Sequence, residues 1–429
     1  MSGRSPSAPG AAWLAALALA LLASLASGGQ LGPKLEKLYG ERRFFEMRTL
    51  LESETATTPD ILFYKGMVAN AFNRPAESAD DLASLLRTAG DRLPVAAHMD
   101  LLIALADDYA RMFEYAKAAE AREKVLPLLA KGANRSALAE FKSIIGLWKA
   151  MASAPPQTVE IPGDTEIVLT DGGEVPVEIN GLEVPLLPDT GSALNMIVRS
   201  DAERLGLKIL DVTVEVGTAA GKIVKARPCL VPELRFSGIT VRNAVFLVVP
   251  EEMLYFSEIR RQRKGLMSFP ILAGLKELTF TRRGRFIVTS PPRLQGPPNF
   301  FLAGVDAVIE AEYAGRRLLF FLDTGAFGTE LFMPFYKAFA SDIIRRGIYE
   351  PATIEGVGTH AREPVYLVSG LSFRVAGLAV RFDQALPVLT RSMGAGTGSN
   401  VFDGSFGLDL MTGRRELRLN YDAMRISLR

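Results

Sequence analysis

The 429-residue sequence contains one cysteine, Cys229, and two histidines, His98 and His360. A single cysteine excludes an intramolecular disulfide and any zinc site built from several cysteines. Two isolated histidines disfavour histidine-rich metal sites and a serine–histidine–aspartate triad. The cationic excess of nucleic-acid-binding proteins is also missing, since 49 Lys and Arg face 48 Asp and Glu. We therefore expect no metal, no cofactor and no nucleic-acid partner, and chemistry based on carboxylates, hydroxyls, amines or the backbone.

The first 27 residues have the order of a secretory signal. Arg4 precedes an apolar run over residues 11–23, and small residues follow at 24–26. The alternative, a retained membrane anchor, is disfavoured because the run is mostly alanine and shorter than the roughly 20 apolar residues of a spanning helix. The sequence thus predicts a signal peptide over residues 1–27. The mature protein would be exported, periplasmic or secreted, without stable membrane insertion.

Residues 30–153 have helical periodicity, with apolar residues recurring every three or four positions. Residues 105–119, with a break at 112–114, resemble a tetratricopeptide repeat. In such repeats, small residues such as Ala118 and Ala119 allow two antiparallel helices to pack closely. A plain helical bundle remains the alternative, because the repeat signature is degenerate. We predict a helical, tetratricopeptide-like domain that offers a surface to a protein partner.

The sequence pattern changes after the proline-rich linker at residues 154–156. Short runs of Val, Ile, Leu, Phe and Thr, separated by Gly, Asn and Pro, predict β-strands. A second proline-rich junction at 291–298 divides this region. We therefore predict two β-rich lobes of similar length, over residues 159–292 and 297–429.

The two lobes repeat the same landmarks in the same order. Each has a turn glycine eight residues before an Asp-Thr-Gly tripeptide (189 − 181 = 8 and 323 − 315 = 8), then a Val-Gly-Thr tripeptide and an apolar segment that begins with glycine. The paired segments are Asn180-Gly181 and Ala314-Gly315, Asp189-Thr190-Gly191 and Asp323-Thr324-Gly325, Val216-Gly217-Thr218 and Val357-Gly358-Thr359, and Gly265-Leu266-Met267-Ser268 and Gly404-Ser405-Phe406-Gly407. Four landmarks in register indicate an internal duplication.

At these residues the chain resembles the aspartic proteases. Pepsin-like members carry two Asp-Thr-Gly loops in one chain, whereas retropepsins carry one and dimerise. Each half here has about 130 residues, closer to a retropepsin protomer. The resemblance implies an all-β, bilobal, tandem retropepsin-like fold behind the helical domain.

The duplicated carboxylates are the candidate catalytic pair. Two carboxylates that lie close together share one proton, because like-charge repulsion raises one pKa. The ionised partner, Asp189 or Asp323, would act as general base on a water, while the protonated partner polarises the scissile carbonyl. The sequence does not indicate which of the two is ionised.

The residues beside each aspartate are the predicted supports of the active-site loops. The resemblance implies that the hydroxyls of Thr190 and Thr324 bond across the pseudo-twofold axis, and glycine permits close backbone approach. Ser192 has a hydroxyl that we expect to donate to Asp189, which Ala326 lacks. The full set of predicted supports is Thr190, Gly191, Ser192, Thr324, Gly325 and Ala326.

The Val-Gly-Thr segments have two readings, simple hairpins or flaps that close on an extended peptide by strand addition. The candidate flap residues are Gly217, Thr218, Gly358 and Thr359.

Two residues near the first aspartate depart from the family pattern and weaken the prediction of catalytic activity. Pro188 precedes the first aspartate and lacks an N–H, and Ser268 replaces the glycine found at Gly407.

The sequence leaves three functional hypotheses. The first is an exported aspartic endopeptidase that hydrolyses peptide bonds with water activated by Asp189 and Asp323. The second is a catalytically inactive module that binds extended peptides or proteins on a protease-like scaffold with helical repeats. In the third, the halves pair with halves of other chains, although covalent linkage favours pairing within one chain.

Overall fold

The computed structural model describes residues 31–129, 135–217, 223–256, 260–391 and 401–429. The predicted signal peptide and Thr218 lie outside these ranges. Two compact units divide the chain, and the boundary falls between Ala154 and Pro155. The first unit is helical and the second is rich in β-strands, so the predicted order of the two classes is confirmed. Among the described residues, no helix has the length and apolar character needed to span a membrane.

The first unit is built from helices that follow one another through short turns. They are α1 (Leu31–Gly40), α2 (Phe44–Leu51), α3 (Pro59–Ala71), α4 (Pro75–Ala89), α5 (Val95–Arg111), α6 (Tyr115–Leu129) and α7 (Arg135–Ala150). Proline stands in the first turn of α3 and α4, where its missing N–H costs nothing. Helices α3 and α4 approach so closely that a Cβ on Gly66 would lie 2.5 Å from the Leu82 side chain. This close packing of helix pairs is the property expected of a tetratricopeptide-like domain, which remains a prediction.

The first half of the second unit contains thirteen of the strands and two short helices of the described chain. They are β1 (Thr158–Glu160), β2 (Thr165–Val168), β3 (Val175–Ile179), β4 (Leu182–Pro188), β5 (Asn195–Val198), α8 (Arg199–Arg204), β6 (Val214–Gly217), β7 (Ile223–Phe236), β8 (Ile239–Val249), β9 (Tyr255–Phe256), β10 (Arg261–Gln262), β11 (Gly265–Met267), α9 (Phe269–Gly274), β12 (Glu277–Thr281) and β13 (Arg285–Val288).

The second half repeats this plan with one longer helix. Its elements are β14 (Phe300–Ala303), β15 (Asp306–Tyr313), β16 (Arg316–Leu322), β17 (Glu330–Leu331), α10 (Met333–Arg346), β18 (Ile348–Gly356), β19 (Thr359–Val368), β20 (Leu371–Val375), β21 (Leu378–Phe382), β22 (Leu386–Leu389), β23 (Gly404–Phe406), β24 (Glu416–Asn420) and β25 (Arg425–Leu428). Helix α10 corrects the all-β expectation for this lobe. Its helical face buries Phe335 and Ile343 against the second half, a 3.6-residue pattern that the strand reading of this region overlooked.

In both halves, the strand that precedes the Asp-Thr-Gly motif has equivalent neighbouring strands that run in the same relative directions. In the first half β4 runs parallel to β11, which is antiparallel to β5. In the second half β16 runs parallel to β23, which is antiparallel to β17. The apolar segment of each half therefore lies beside the strand that carries the aspartate, as the repeated landmarks require.

The hairpins that lead to the two motifs turn at the predicted residues. Asn180 and Gly181 have φ of 51° and 77°, and Ala314 and Gly315 have φ of 49° and 74°. Two consecutive positive φ values are typical of a type I′ turn, whose twist matches that of the flanking strands. The turn fixes the register of each hairpin and thereby the position of the aspartate that follows it.

A five-stranded sheet joins the two halves. Its order is β2-β13-β12-β24-β25, so strands from the end of each half pair at its centre. Strands β12 and β24 are antiparallel, with Leu278 opposite Leu419 and Phe280 opposite Leu417. These side chains are buried, and their burial stabilises the association of the halves.

Candidate active site

The two Asp-Thr-Gly motifs lie in loops that leave β4 and β16. The N–H of Asp189 donates to the carbonyl of Met267 at 2.9 Å, and the N–H of Asp323 donates to that of Phe406 at 2.9 Å. Each acceptor is the last residue of the neighbouring parallel strand, β11 or β23. The backbone of each aspartate is therefore held by a rigid element of its own half.

The two loops are bonded to each other through their threonines. The Thr190 hydroxyl donates to the Leu322 carbonyl at 2.6 Å, and the Thr324 hydroxyl donates to that of Pro188 at 2.9 Å. In return, the N–H of Thr190 donates to Thr324 Oγ1 at 3.1 Å, and the N–H of Thr324 donates to Thr190 Oγ1 at 3.0 Å. Both threonines are buried. The structure thus contains the reciprocal bonds across the axis that the resemblance implies.

The glycine of each motif lies against the carboxyl group of the opposite motif. A Cβ on Gly191 would lie 2.6 Å from Cγ of Asp323, and one on Gly325 would lie 2.6 Å from Cγ of Asp189. Real Cβ atoms are not found at such distances, so both positions require glycine. The two carboxyl groups therefore occupy one shared site between the loops.

Hydrogen bonds to the two carboxyl groups are unequal. Asp189 Oδ1 accepts one backbone N–H, from Gly191 at 2.8 Å. Asp323 Oδ1 accepts two, from Gly325 at 2.9 Å and Ala326 at 3.1 Å. Backbone donors stabilise the ionised form of a carboxyl group. Asp323 is thus the better stabilised carboxylate of the pair.

Burial and mutual repulsion act on both acids. Burial and the charge of Asp323 raise the pKa of Asp189 well above its ordinary value. Burial also raises the pKa of Asp323, while its backbone donors lower it. The geometry therefore favours a pair that keeps one proton, with the negative charge on the Asp323 side.

One predicted support behaves differently from the expectation. The Ser192 hydroxyl donates to the Leu194 carbonyl at 3.0 Å rather than to Asp189. Its side chain turns into the loop because a carbonyl two residues on is in reach, a local bond typical of serine. The Ser192–Asp189 bond that we expected is replaced by this turn. The second motif has a backbone donor, Ala326, at the matching position.

The two departures from the family pattern leave the reacting groups in place. Pro188 contributes its carbonyl, which accepts the Thr324 hydroxyl, and this role needs no N–H. Ser268 is fully buried, and its N–H donates to Asn195 Oδ1 at 2.8 Å. Its hydroxyl has no hydrogen-bond partner among the described residues. At Gly407, by contrast, a Cβ would lie 2.6 Å from the Gly328 carbonyl oxygen, so only the first half has room for a side chain here.

Sequence reasoning missed the residues that tie each loop to its apolar segment. Asn195 Nδ2 donates to the Val245 carbonyl at 3.0 Å, in addition to its bond from Ser268. In the second half the Thr329 hydroxyl donates to Asp409 Oδ1 at 2.6 Å, and Asp409 Oδ2 accepts the Thr329 N–H. Both residues stand six positions after the aspartate of their half. That shared spacing is the signal that finds them.

A third acid was also missed. Asp306, the first residue of β15, is half-buried. Burial and the charge of Asp323 raise its pKa to about 7. The charge of Asp306 in turn acts on Asp189 and on the buried Tyr421. Nothing in the repeated motifs marks this residue, because the first half has glycine at the matching position.

The candidate flap residues lie on hairpins. Gly217 ends β6 opposite Ile223 of β7, and Thr218 lies outside the described residues. In the second half Gly358 lies in the turn between β18 and β19, with φ of 65°, and Thr359 begins β19. The N–H of Gly358 donates to the Met253 carbonyl of the first half at 2.8 Å. The tip of this hairpin therefore reaches across to the other half.

Across the described ranges, no three His, Cys, Asp or Glu side chains are arranged to hold a metal ion. Cys229 is buried on β7, and burial raises the pKa of its thiol to about 12. A thiol with such a pKa is a poor nucleophile near neutral pH.

A comparison with protein families finds a match that contains the first motif. Residues 175–270 match the sequence model of a family described as Aspartyl protease. Among solved structures, the chain is similar to a retropepsin-like aspartic protease from Rickettsia conorii, with 16% identity and a TM-score of 0.21, over 31% of this chain and 94% of that chain. No curated protein matches the sequence. The family match includes the first Asp-Thr-Gly motif and supports an aspartic protease family and a peptidase.

Proposed function

We propose that this protein is an aspartic endopeptidase that cleaves peptide bonds with a water held between Asp189 and Asp323. The observation that carries the proposal is the reciprocal packing of the two loops, in which each glycine lies against the carboxyl group of the other half. That packing brings two acids of raised pKa into one site. Such a pair is the chemical requirement for water-mediated amide hydrolysis without a cofactor.

The proposed reaction begins with the pair sharing one proton. Asp323 accepts two backbone N–H bonds. It takes a proton from the water while the water oxygen bonds to the carbonyl carbon of the substrate. Asp189 donates its proton to the carbonyl oxygen, which gives a tetrahedral diol. The amide nitrogen then takes the proton from Asp323, a hydroxyl of the diol returns its proton to Asp189, and the C–N bond breaks. A carboxylic acid and an amine leave, and the pair is again singly protonated.

The proposed substrate is an extended peptide or an unfolded protein. An extended chain can add as a strand beside an exposed hairpin, with its main chain supplying the bonds. The hairpin of β18 and β19 supports this role because its tip, Gly358, bonds to Met253 of the other half. Gly217, Thr218 and Thr359 are proposed to act with it on the substrate.

The test is substitution of each acid in the mature chain. Asp189→Asn and Asp323→Asn should each lower the rate of cleavage of an unfolded protein about 10³-fold or more at acidic to neutral pH, because neither leaves a pair with one proton. Asp383→Asn, which removes an exposed carboxylate of the second half, should cleave like the unchanged chain. Full activity in either active-site variant would disprove the shared-water mechanism.

The binding-module hypothesis gives a different result in the same assay. It predicts peptide binding without turnover from about pH 3 to 8. The raised acid pKa values favour the enzyme, since a site that only binds peptides has no need for two buried carboxyl groups at its centre.

Export and the role of the helical unit complete the proposal. The signal-like residues 1–27 support secretion or a periplasmic location. The closely packed helix pair α3 and α4 supports a tetratricopeptide-like unit that recruits a protein partner. Cell fractionation of the full chain would test export. Capture of a protein partner by the full chain would test the role of the helical unit.

A further inference from the structure

The strand register places Asp306 beside the acid of the second half. Strands β15 and β16 pair with Val308 opposite Phe321. Continuing this register by two residues places Asp306 opposite Asp323. Residues opposite one another on an antiparallel pair have Cβ atoms about 4.5–5.5 Å apart and point to the same face. The Asp306 side chain is therefore on the side of the sheet that carries the Asp323 carboxyl group.

The first half has no counterpart to this acid. The two motifs are offset by 134 residues, and the same offset relates Asp306 to Gly172. In the β3–β4 hairpin, Val175 pairs with Leu186, so Gly172 lies opposite Asp189 in the same way. A Cβ at Gly172 would collide with the guanidinium of Arg261. The matching position thus carries no carboxyl group and is covered by an arginine.

Among the described residues, the titratable groups that interact electrostatically with Asp306 are two acids and a phenol. They come from the loops after β4 and β16 and from the residue after β24, and they are Asp189, Asp323 and Tyr421. No lysine or arginine of the described chain acts on Asp306 to favour its charge. Its proton is consequently held by burial and by the charge of Asp323, which together raise its pKa to about 7.

We propose that Asp306 is a positioning residue of the active site, a third carboxyl group that helps the Asp189–Asp323 pair to retain its shared proton. The inference rests on the proposed function and deepens it. When Asp306 is ionised, its negative charge opposes the loss of the last proton from the pair. The singly protonated pair then survives to higher pH, and the enzyme works nearer to neutral pH than the pair alone would allow.

The direction of the effect follows from which charge acts on which acid. The charge of Asp323 raises the pKa of Asp306, and the charge of Asp306 raises the pKa of Asp189. Removal of the Asp306 charge takes away repulsion that opposes the ionisation of Asp189. The alkaline limb of the activity profile should therefore move to lower pH, while the acid limb should stay in place.

The experiment compares kcat/KM against pH for the full chain and three variants. Asp306→Asn should move the alkaline limb down by about half a pH unit or more. Glu312→Gln removes an exposed acid six residues along the same strand, about 20 Å away at 3.3 Å per residue, and should leave the limb unchanged because salt screens charges at that distance. Asp306→Glu, which restores the charge, should return the limb towards its original position.

Each outcome decides between the two claims. An alkaline limb that is the same in Asp306→Asn and in the unchanged chain would overturn the third-carboxyl inference and leave the endopeptidase intact. Absence of turnover in the unchanged chain would refute the proposed function. In that case the affinity for a statine-type inhibitor, measured against pH, decides the inference by the same shift. If thermal melting shows that Asp306→Asn is unfolded, Asp306→Ser takes its place in both measurements.

Discussion

Thr190 and Thr324 are buried hydroxyl residues whose partners lie in the opposite half of the β-rich unit. Each donates its hydroxyl to one carbonyl and accepts one N–H, so each satisfies two backbone groups that water does not reach. A buried polar group without a partner costs about 1–3 kcal/mol. The two residues therefore fix the spacing of the loops that carry the acids.

Replacement of one threonine by a residue of similar volume should lower the free energy of unfolding of the β-rich unit, because hydrogen bonds are lost although the shape is kept. Thr190→Val keeps the shape but leaves the Leu322 carbonyl and the Thr324 N–H unpaired, so we expect the free energy of unfolding to fall by about 2–4 kcal/mol. Thr190→Ser keeps the hydroxyl and should cost about 1 kcal/mol or less from the lost methyl group. Urea unfolding of the two variants measures the difference. Equal losses would mean that the hydroxyl bonds contribute little.

Ser268 provides a test in which substitution is expected to raise the free energy of unfolding. Its buried hydroxyl has no partner among the described residues, so Ser268→Ala should raise the free energy of unfolding by about 1 kcal/mol. Ser192→Ala removes a hydroxyl that does have a partner, the Leu194 carbonyl, and should lower the same quantity by a similar amount. Thermal melting of both variants provides the check. A destabilised Ser268→Ala chain would show that its hydroxyl is satisfied after all.

The candidate acids could be predicted from the sequence, whereas their supporting residues could not. Asp189 and Asp323 are visible because the motif is repeated at a fixed distance from a turn glycine. Thr329 depends on Asp409, 80 residues along the chain, and that distance is set by tertiary packing. Asp306 breaks the internal repeat, so the comparison of halves that reveals the pair conceals the third acid.

At the scale of elements, hairpins could be predicted from the residues in their turns, whereas pairing between strands far apart in the sequence could not. The Asn180-Gly181 turn predicts its hairpin, because Asn and Gly tolerate positive φ, and the Ala314-Gly315 turn is found from its matching place in the second half. The pairing of β12 with β24 joins residues about 140 apart, such as Glu277 and Asn420. A single sequence contains alternating apolar residues in both strands but no signal that they are neighbours.

The shared sheet also bears on how the halves depend on each other. Strands β12 and β13 come from the end of the first half, and β24 and β25 come from the end of the second. Glu277, at the start of β12, is fully buried and accepts the N–H groups of Leu294 and Arg293 from the junction between the halves. The junction is thus bonded into the sheet rather than being a free tether.

At the scale of the whole molecule, both acids belong to one chain. Covalent linkage gives each half a high local concentration of its partner, and the five-stranded sheet buries apolar side chains from both. We therefore expect the activity per molecule to be constant on dilution from micromolar to nanomolar concentration, with a monomeric β-rich unit in sedimentation. Activity that falls on dilution would instead indicate that acids from two different chains form the site.

The asymmetry between Asp306 and Gly172 has a consequence for proteins that build the same kind of site from two identical subunits. In such an assembly every substitution appears twice, so an acid at this position would bring a fourth carboxyl group as well as a third. A tandem chain escapes that constraint, because each copy of the ancestral sequence can diverge alone. The duplication thus allows the proton affinity of the catalytic centre to be adjusted from one side only.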